Sequence, residues 1–471
     1  MFLFICIMIT TLVGAFIPYP FGKPFSISNR ETVQKIIRPD LHSINGFFGM
    51  IGPDVNVSNI QSLYELFTGD GVIHGVFFQN GTLTYVNHFI RTEKLVYEEV
   101  HGRMPTDPIN TFFFIMIEAM RIFPNCIDVA NTAILRTKHH LYALFERDVP
   151  YRISVNQNDQ TIETVLKDTI FYPVAKHVSA HSKYDEETDT LETIDYRVMS
   201  QTVHYRRLLL TSDPATELSH IELPMKYMPI THDFVSTTES IVVIDSPNKL
   251  QHSNLSSYGM PVHFCSDLPT YIYVVNKRTR DIETYTYPTG FYIFHFASAT
   301  ESRDHIEILA SIYRELDMNS LNLHGTYSKL VLNKQKKTCS IYTTRELQQY
   351  NLEFPVRYGD SIVMRHLHDN KARCFVICKD LRIQQRIWLC NLSICGEPVI
   401  VDNNGIPTLL CFTSNDTHSY LTVVALSTLS QIHIPIQNDI RIGFHSIYLH
   451  GSEKNQTIQT KENIVPLPIN P

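Results

Sequence analysis

From Gly46 onward the chain is a succession of short runs rich in β-branched and aromatic residues, broken by turn residues every ~8–15 positions. GVFFQNGTLTYVNHFI is one such pair, with Asn80-Gly81 where a type I′ hairpin turn needs two residues at positive φ. PTYIYVVNKRTRDIETYTYP and VIVDNNGIPTLLCFT are others. Strands this short and this numerous pack as a sandwich, a barrel or a propeller. A chain of 471 residues supports a large core, and an all-β chain of that size needs no division into several domains. No internal sequence repeat stands out and no low-complexity linker interrupts the pattern, so residues 23–471 read as a single β domain.

Two stretches read as helices instead. Residues 107–123, DPINTFFFIMIEAMRIF, carry Pro108 at a helix start and are apolar nearly all round, the mark of a helix that is buried or dips into a bilayer. Residues 305–323, HIEILASIYRELDMNSLNL, read as an amphipathic surface connection. Residues 1–22 form an apolar N-terminal segment whose first twenty residues are uncharged. It lacks the basic start of a secretory signal, and ~17 apolar-leaning residues is short for a bilayer span. Signal, anchor and packed arm all stay open for it. The tail beyond Gly451 is polar and is expected to be loose.

The net charge is −7 with no basic run, which excludes nucleic acid as the main partner. Cys374, Cys378, Cys390 and Cys395 are spaced CxxxC and CxxxxC around strand-like segments, so they read as small buried hydrophobes rather than a zinc cage. Six N-x-S/T sequons, at Asn56, Asn80, Asn254, Asn391, Asn415 and Asn455, decide nothing about secretion in an Asn-rich chain.

Four segments place a histidine beside strand-like residues: SAHSKYDEETDTLE at His181, MPITHDFVSTTESIVVID at His232, FYIFHFASATE at His295 and IRIGFHSIYLH at His445. One histidine on an apolar strand is ordinarily a satisfied core residue. Four in similar settings point to one buried metal gathered from distant parts of the chain. Their intervals of 51, 63 and 150 residues are about one, one and three multiples of a ~45-residue propeller blade. A propeller brings the inner strands of successive blades to one axis, so such residues can meet there. Four neutral imidazoles suit iron, zinc or copper alike. A metal-bound imidazole ordinarily gives its other N–H to a carboxylate or carbonyl, and an uncompensated dication in a dry cavity needs anions nearby.

These segments resemble the signature motifs of the carotenoid cleavage oxygenases, the family that includes apocarotenoid oxygenases, stilbene-cleaving enzymes and the retinal-pigment-epithelium isomerase. FHFASATE is similar to FHHxNAxE, AHSKYDEETDTLE to AHPKxDPxTGEL, ITHDFVSTTESIVV to MHDFAxTENYxV and GFHS to GFHG, and the likeness runs from about Gly46 to His445. The resemblance implies a seven-bladed β-propeller with a helical cap over its iron-bearing face. It implies Fe(II) held by His181, His232, His295 and His445. Behind them it implies carboxylates at Glu146 in HLYALFERDVPY, Glu353 in NLEFPVR and Glu397 in CGEPVIV. Thr132, in ANTAI, matches a residue that narrows the vacant coordination position. A hydrophobic polyene and O2 are the implied partners, with peripheral membrane contact through 107–123 and hence a membrane-associated protein.

The chain departs from the family pattern at Phe296, Ser298, Thr300, Ser182, Thr231 and Val356-Arg357, and its Glu353-to-Glu397 interval looks short enough for one blade to be trimmed. None of these removes a ligand; they bear on pocket shape. His74, in GDGVIHG, reads as structural, and His139 and His140 as exposed beside a turn. Phe145 stands where stilbene-cleaving relatives tend to carry Lys, and Asp107-Pro108 is followed by Ile109 without the Cys of the retinoid branch. The expected reaction is therefore oxidative cleavage of a carotenoid or apocarotenoid double bond into two carbonyl products. Stilbene cleavage, retinoid isomerisation and a non-catalytic propeller that binds an apolar ligand are the alternatives.

Overall fold

The computed structural model describes residues 23–55, 60, 63–104, 125–211, 213–251, 262–321, 323–368, 371–440 and 442–451. The N-terminal apolar segment, the helix expected at 107–123 and the tail from residue 452 lie outside the described residues.

Seven antiparallel sheets of four or five strands follow one another along the chain as the blades of a β-propeller. The innermost strands are Ala133–Arg136, Lys183–Asp185, Val235–Ser236, Phe296–Glu301, Leu352–Tyr358 and Ser393–Ile394 in the second to seventh blades. In the first blade that place is taken by the last strand described, Ser446–His450, which pairs with Gly46–Asp54 in the register Gly46 to His450. Pairing this strand with one near the start of the described chain closes the ring of blades. Gly46 sits at that joint at φ +144°, and a Cβ there would lie 2.2 Å from the Leu449 carbonyl oxygen.

The middle strands read as near-continuous apolar runs because neighbouring blades cover both of their faces. Gly46–Asp54 is buried along eight of its nine residues. The core accordingly sits between blades. Phe48, Val76 and Tyr85 of the first blade pack on Leu410, Phe412 and Val423 of the seventh, and Val242, Ile272 and Tyr285 of the fourth pack on Ile306, Ile308 and Leu330 of the fifth. Burying each such aliphatic side chain stabilises the fold by about 1.5–3 kcal/mol.

Asn80 and Gly81 join two strands of the first blade at φ 50° and 77°, as the hairpin motif requires. The helix expected at 305–323 is not formed. His305–Tyr313 is the second strand of the fifth blade, paired on both sides, with Ile306, Ile308, Ala310 and Ile312 buried alternately. The period of that apolar pattern is two, and two flanking strands supply the backbone partners a lone surface helix would have supplied itself. The sixth blade, expected to be trimmed, keeps all four strands, Leu352–Tyr358, Ser361–His368, Lys371–Lys379 and Arg382–Trp388. The described residues hold two α-helices, Leu63–Phe67 and Glu93–His101, and neither is long and apolar enough to cross a membrane. They do not define the expected helical cap. Cys374, Cys378 and Cys395 are buried and Cys390 is exposed.

Candidate metal centre

Each of the four histidines lies one to three residues before the innermost strand of its blade. His445 leads into Ser446–His450 of the first blade, His181 into Lys183–Asp185 of the third, His232 into Val235–Ser236 of the fourth and His295 into Phe296–Glu301 of the fifth. Blade geometry carries these starting points to the axis, so the spacing in blades becomes proximity in space. One nitrogen from each of the four rings lies within 4.8 Å of the others. His181 Nε2 is 3.0 Å from His232 Nε2, which is 3.3 Å from His295 Nε2. The His445 ring centroid is 4.7 Å from that of His181 and 4.9 Å from that of His295.

The far nitrogens of three rings meet carboxylates. Glu146 contacts His232 Nδ1; Glu353 Oε2 is 2.7 Å from His295 Nδ1; Glu397 Oε2 is 3.3 Å from His445 Nδ1. Such contacts leave Nε2 as the free lone pair and fix the plane of each ring. The carboxylates are themselves held. Glu353 accepts from Tyr313 Oη at 2.8 Å and the Phe354 N–H at 2.9 Å, and Glu397 accepts from the Ser446 N–H at 3.0 Å. Tyr196 Oη approaches Glu146 at 3.4 Å.

Burial, reinforced by the three neighbouring imidazoles, holds His181 well below the ordinary imidazole range. Burial likewise lowers His295, although Glu353 opposes it, and the same Glu353 is held ionised, His295 and its hydrogen bonds outweighing burial. At His232 burial works against the charge, and the Glu146 carboxylate outweighs it and raises the pKa. A cluster of imidazoles with carboxylates behind it is a donor set for a dication, because it can offer lone pairs in front and compensating charge behind. The spacing fits as well: with metal–nitrogen bonds of ~2.1 Å, two ligands at right angles lie ~3 Å apart.

Thr132 immediately precedes Ala133–Arg136, so in the second blade a threonine holds the place that histidines hold in four others. It is buried, its hydroxyl donates to Asn131 Oδ1 at 2.9 Å, and its carbonyl receives the His445 N–H at 3.4 Å. His74 is not part of the cluster; its Nδ1 meets Tyr85 Oη at 2.8 Å inside the first blade. His139 is exposed and His140 half-buried.

Sequence reasoning missed Phe354. Its ring lies 5.1 Å from that of His295 and 5.3 Å from that of His445, with the Arg365 guanidinium 4.0 Å from its centroid on strand Ser361–His368. It also missed Tyr313, buried at the end of the strand read as helix. Adjacency to Glu353 was the available signal for Phe354.

Fold and site together define a seven-bladed propeller with an imidazole ring assembled at its axis. Residues 42–450 match the family described as retinal pigment epithelial membrane protein. The chain belongs to that family, the carotenoid cleavage oxygenases whose motifs the histidine segments resemble. It is 26% identical over 298 residues to the carotenoid 9,10(9',10')-cleavage dioxygenase of Crocus sativus, covering 59% of this chain and 53% of that protein. It is 23% identical over 359 residues to carotenoid cleavage oxygenase 1 of Neurospora crassa, covering 73% and 65%. The matched part thus spans about half the length of the first of these relatives, 53%. Among solved structures, an apocarotenoid oxygenase of Synechocystis superposes with a TM-score of 0.69 at 19% identity, over 89% of this chain and 95% of that one. The lignostilbene dioxygenase of Pseudomonas brassicacearum does so with 0.71 at 16% identity, over 92% and 98%. Both share the fold.

Proposed function

We propose that this chain is a non-haem Fe(II) dioxygenase that cleaves a carbon–carbon double bond of a carotenoid or apocarotenoid into two carbonyl products. The observation that carries the reading is the convergence of His181, His232, His295 and His445 within 4.8 Å, at the axis of a propeller whose relatives are named carotenoid dioxygenases. Four neutral nitrogens alone would accept several metals; the choice of iron is supported by those oxygenase relatives.

When bound, the iron supplies the oxygen chemistry. The chain supplies the rest. His181, His232, His295 and His445 would hold the ion, and Glu146, Glu353 and Glu397, which touch His232, His295 and His445, would offset its charge. Thr132, on the second blade where four others carry an imidazole, would narrow the opening left beside the ion. Phe294, 5.9 Å from His232, packs edge-on against Tyr292 and Tyr313, and Phe444 lies against Phe67 at 6.1 Å. Aromatic surroundings of this kind would suit a polyene better than a polar substrate. No side chain needs to act as an acid or base in this reaction.

The apolar stretch at 107–123 is proposed to hold the enzyme at a membrane, where polyenes dissolve. Phe113→Ser with Ile115→Ser would then lower the membrane-bound fraction in flotation without unfolding the protein.

The test of function is anaerobic loading with Fe(II), then exposure in air to a panel of carotenoids and apocarotenoids, with products identified by mass spectrometry. Stoichiometric iron, bleaching of the polyene and paired carbonyl products are expected. Tight polyene binding without bleaching by iron-loaded protein would instead favour the apolar-ligand carrier, and preferential cleavage of a phenolic stilbene would favour the stilbene reading.

A further inference from the structure

Asp233 directly follows His232, and its side chain is 3% exposed. Its Oδ1 accepts from Lys183 Nζ at 2.7 Å and from the Phe234 N–H at 2.7 Å, and its Oδ2 accepts from the Phe296 N–H at 3.1 Å. Lys183 opens the inner strand of the third blade two residues beyond His181, and Phe296 opens that of the fifth blade directly after His295. The ammonium of Lys183 also lies 5.4 Å over the Phe234 ring. A single buried carboxylate therefore touches three successive blades, each time within two residues of a proposed ligand.

Other carboxylates link the same blades further along the inner strands. Glu192 bonds Ser236 and Lys277, and Glu301 bonds Ser240 and Lys334. Those hold blade to blade at a distance from the histidines, whereas Asp233 acts on the loops that carry them. His445 is positioned separately, its N–H on Thr132 and its carbonyl on the Ile51 N–H at 3.0 Å.

We infer that Asp233, with Lys183, is a positioning residue of the metal centre: it sets the mutual spacing of His181, His232 and His295 by pinning the loops of three blades to one carboxylate. The inference deepens the metal-centre reading above and rests on it. Blades meet through side-chain packing, which tolerates small sliding, whereas a charge-assisted hydrogen bond fixes both distance and direction. The 3.0 and 3.3 Å separations of the three Nε2 atoms are the quantities so fixed.

The test uses Co(II) as the probe in the full-length protein, because its visible d–d bands report ligand geometry independently of turnover. Asp233→Asn keeps the size of the side chain but loses an acceptor and the charge. It should weaken Co(II) binding ~10–100-fold, as for other groups that orient a ligand from behind, and shift the d–d bands. Lys183→Met should do so to a smaller degree, and Lys183→Arg should restore wild-type values. A wild-type spectrum and affinity in Asp233→Asn would overturn the inference. Should that variant fail to fold, Lys183→Met decides the matter: changed bands support the pin, and unchanged bands with unchanged affinity overturn it. A wild-type chain that takes up no Co(II) would sink the metal-centre reading and this inference with it.

Discussion

At the level of single residues, the ligand cluster depends on side chains that tolerate unfavourable local settings. Phe354 has φ 56°, a conformation that costs a non-glycine residue about 1–2 kcal/mol. Its N–H on Glu353, its ring against His295 and His445 and the guanidinium on its other side offset that cost. His295→Ala should abolish stoichiometric iron, read by elemental analysis, and all cleavage. Glu353→Ala should leave the fold intact yet weaken metal retention ~10–100-fold, because His295 loses the acceptor that fixes its tautomer; unchanged iron content and rate would exclude that role. His74 gives a pH signature from outside the ligand cluster. Burial lowers its pKa to about 4, against 6.5 in an unfolded chain. As pH falls below about 6.5 the unfolded state takes up a proton that the folded state refuses, so stability declines and the decline ends near pH 4. Its size is about 3 kcal/mol, and His74→Gln should flatten that part of the urea-unfolding profile.

Among the elements, His305–Tyr313 is the instructive one. Tyr313, its last residue, donates to Glu353 Oε1 at 2.8 Å, so a strand of the fifth blade braces a carboxylate of the sixth. Tyr313→Phe should lower the unfolding free energy by about 1.5–3 kcal/mol, the loss of a buried hydrogen bond to a charged group, and loosen metal retention with it. HIEILASIY also places Ile308, Leu309, Ile312 and Tyr313 on one helical face, and the flanking strands decide for the period-two pattern. For that reason the tyrosine was invisible in the sequence, whereas the Asn80-Gly81 turn was legible from its backbone requirement alone. The four histidines drew attention as a set in similar strand-like settings, and the three glutamates only through the family resemblance, since each alone reads as a surface carboxylate. Phe354 was not legible, since a positive φ at a phenylalanine leaves no trace in composition. Nor was Asp233, whose partners on other blades are fifty and sixty-three residues away.

For the whole molecule, the separation of the histidines in blades was readable from their intervals, whereas the count of seven came from the family resemblance. His181 to His232 and His232 to His295 are each one blade, and His295 to His445 passes the sixth and seventh blades to reach the first. The first blade was harder to read, because its innermost strand comes from the far end of the described chain. Gly46→Ala tests that joint. The added methyl would meet the Leu449 carbonyl, so the melting temperature and the retained metal should fall together; a fall in neither would mean the joint gives way without disturbing the ring.

That joint has a consequence for biogenesis. Because His445 is delivered by the strand that seals the first blade onto residues laid down some four hundred positions earlier, a nascent chain holds at most three of these imidazoles in reach of one another until that strand has emerged. A polypeptide truncated before that strand would therefore carry at most three of the four imidazoles of the proposed cation trap.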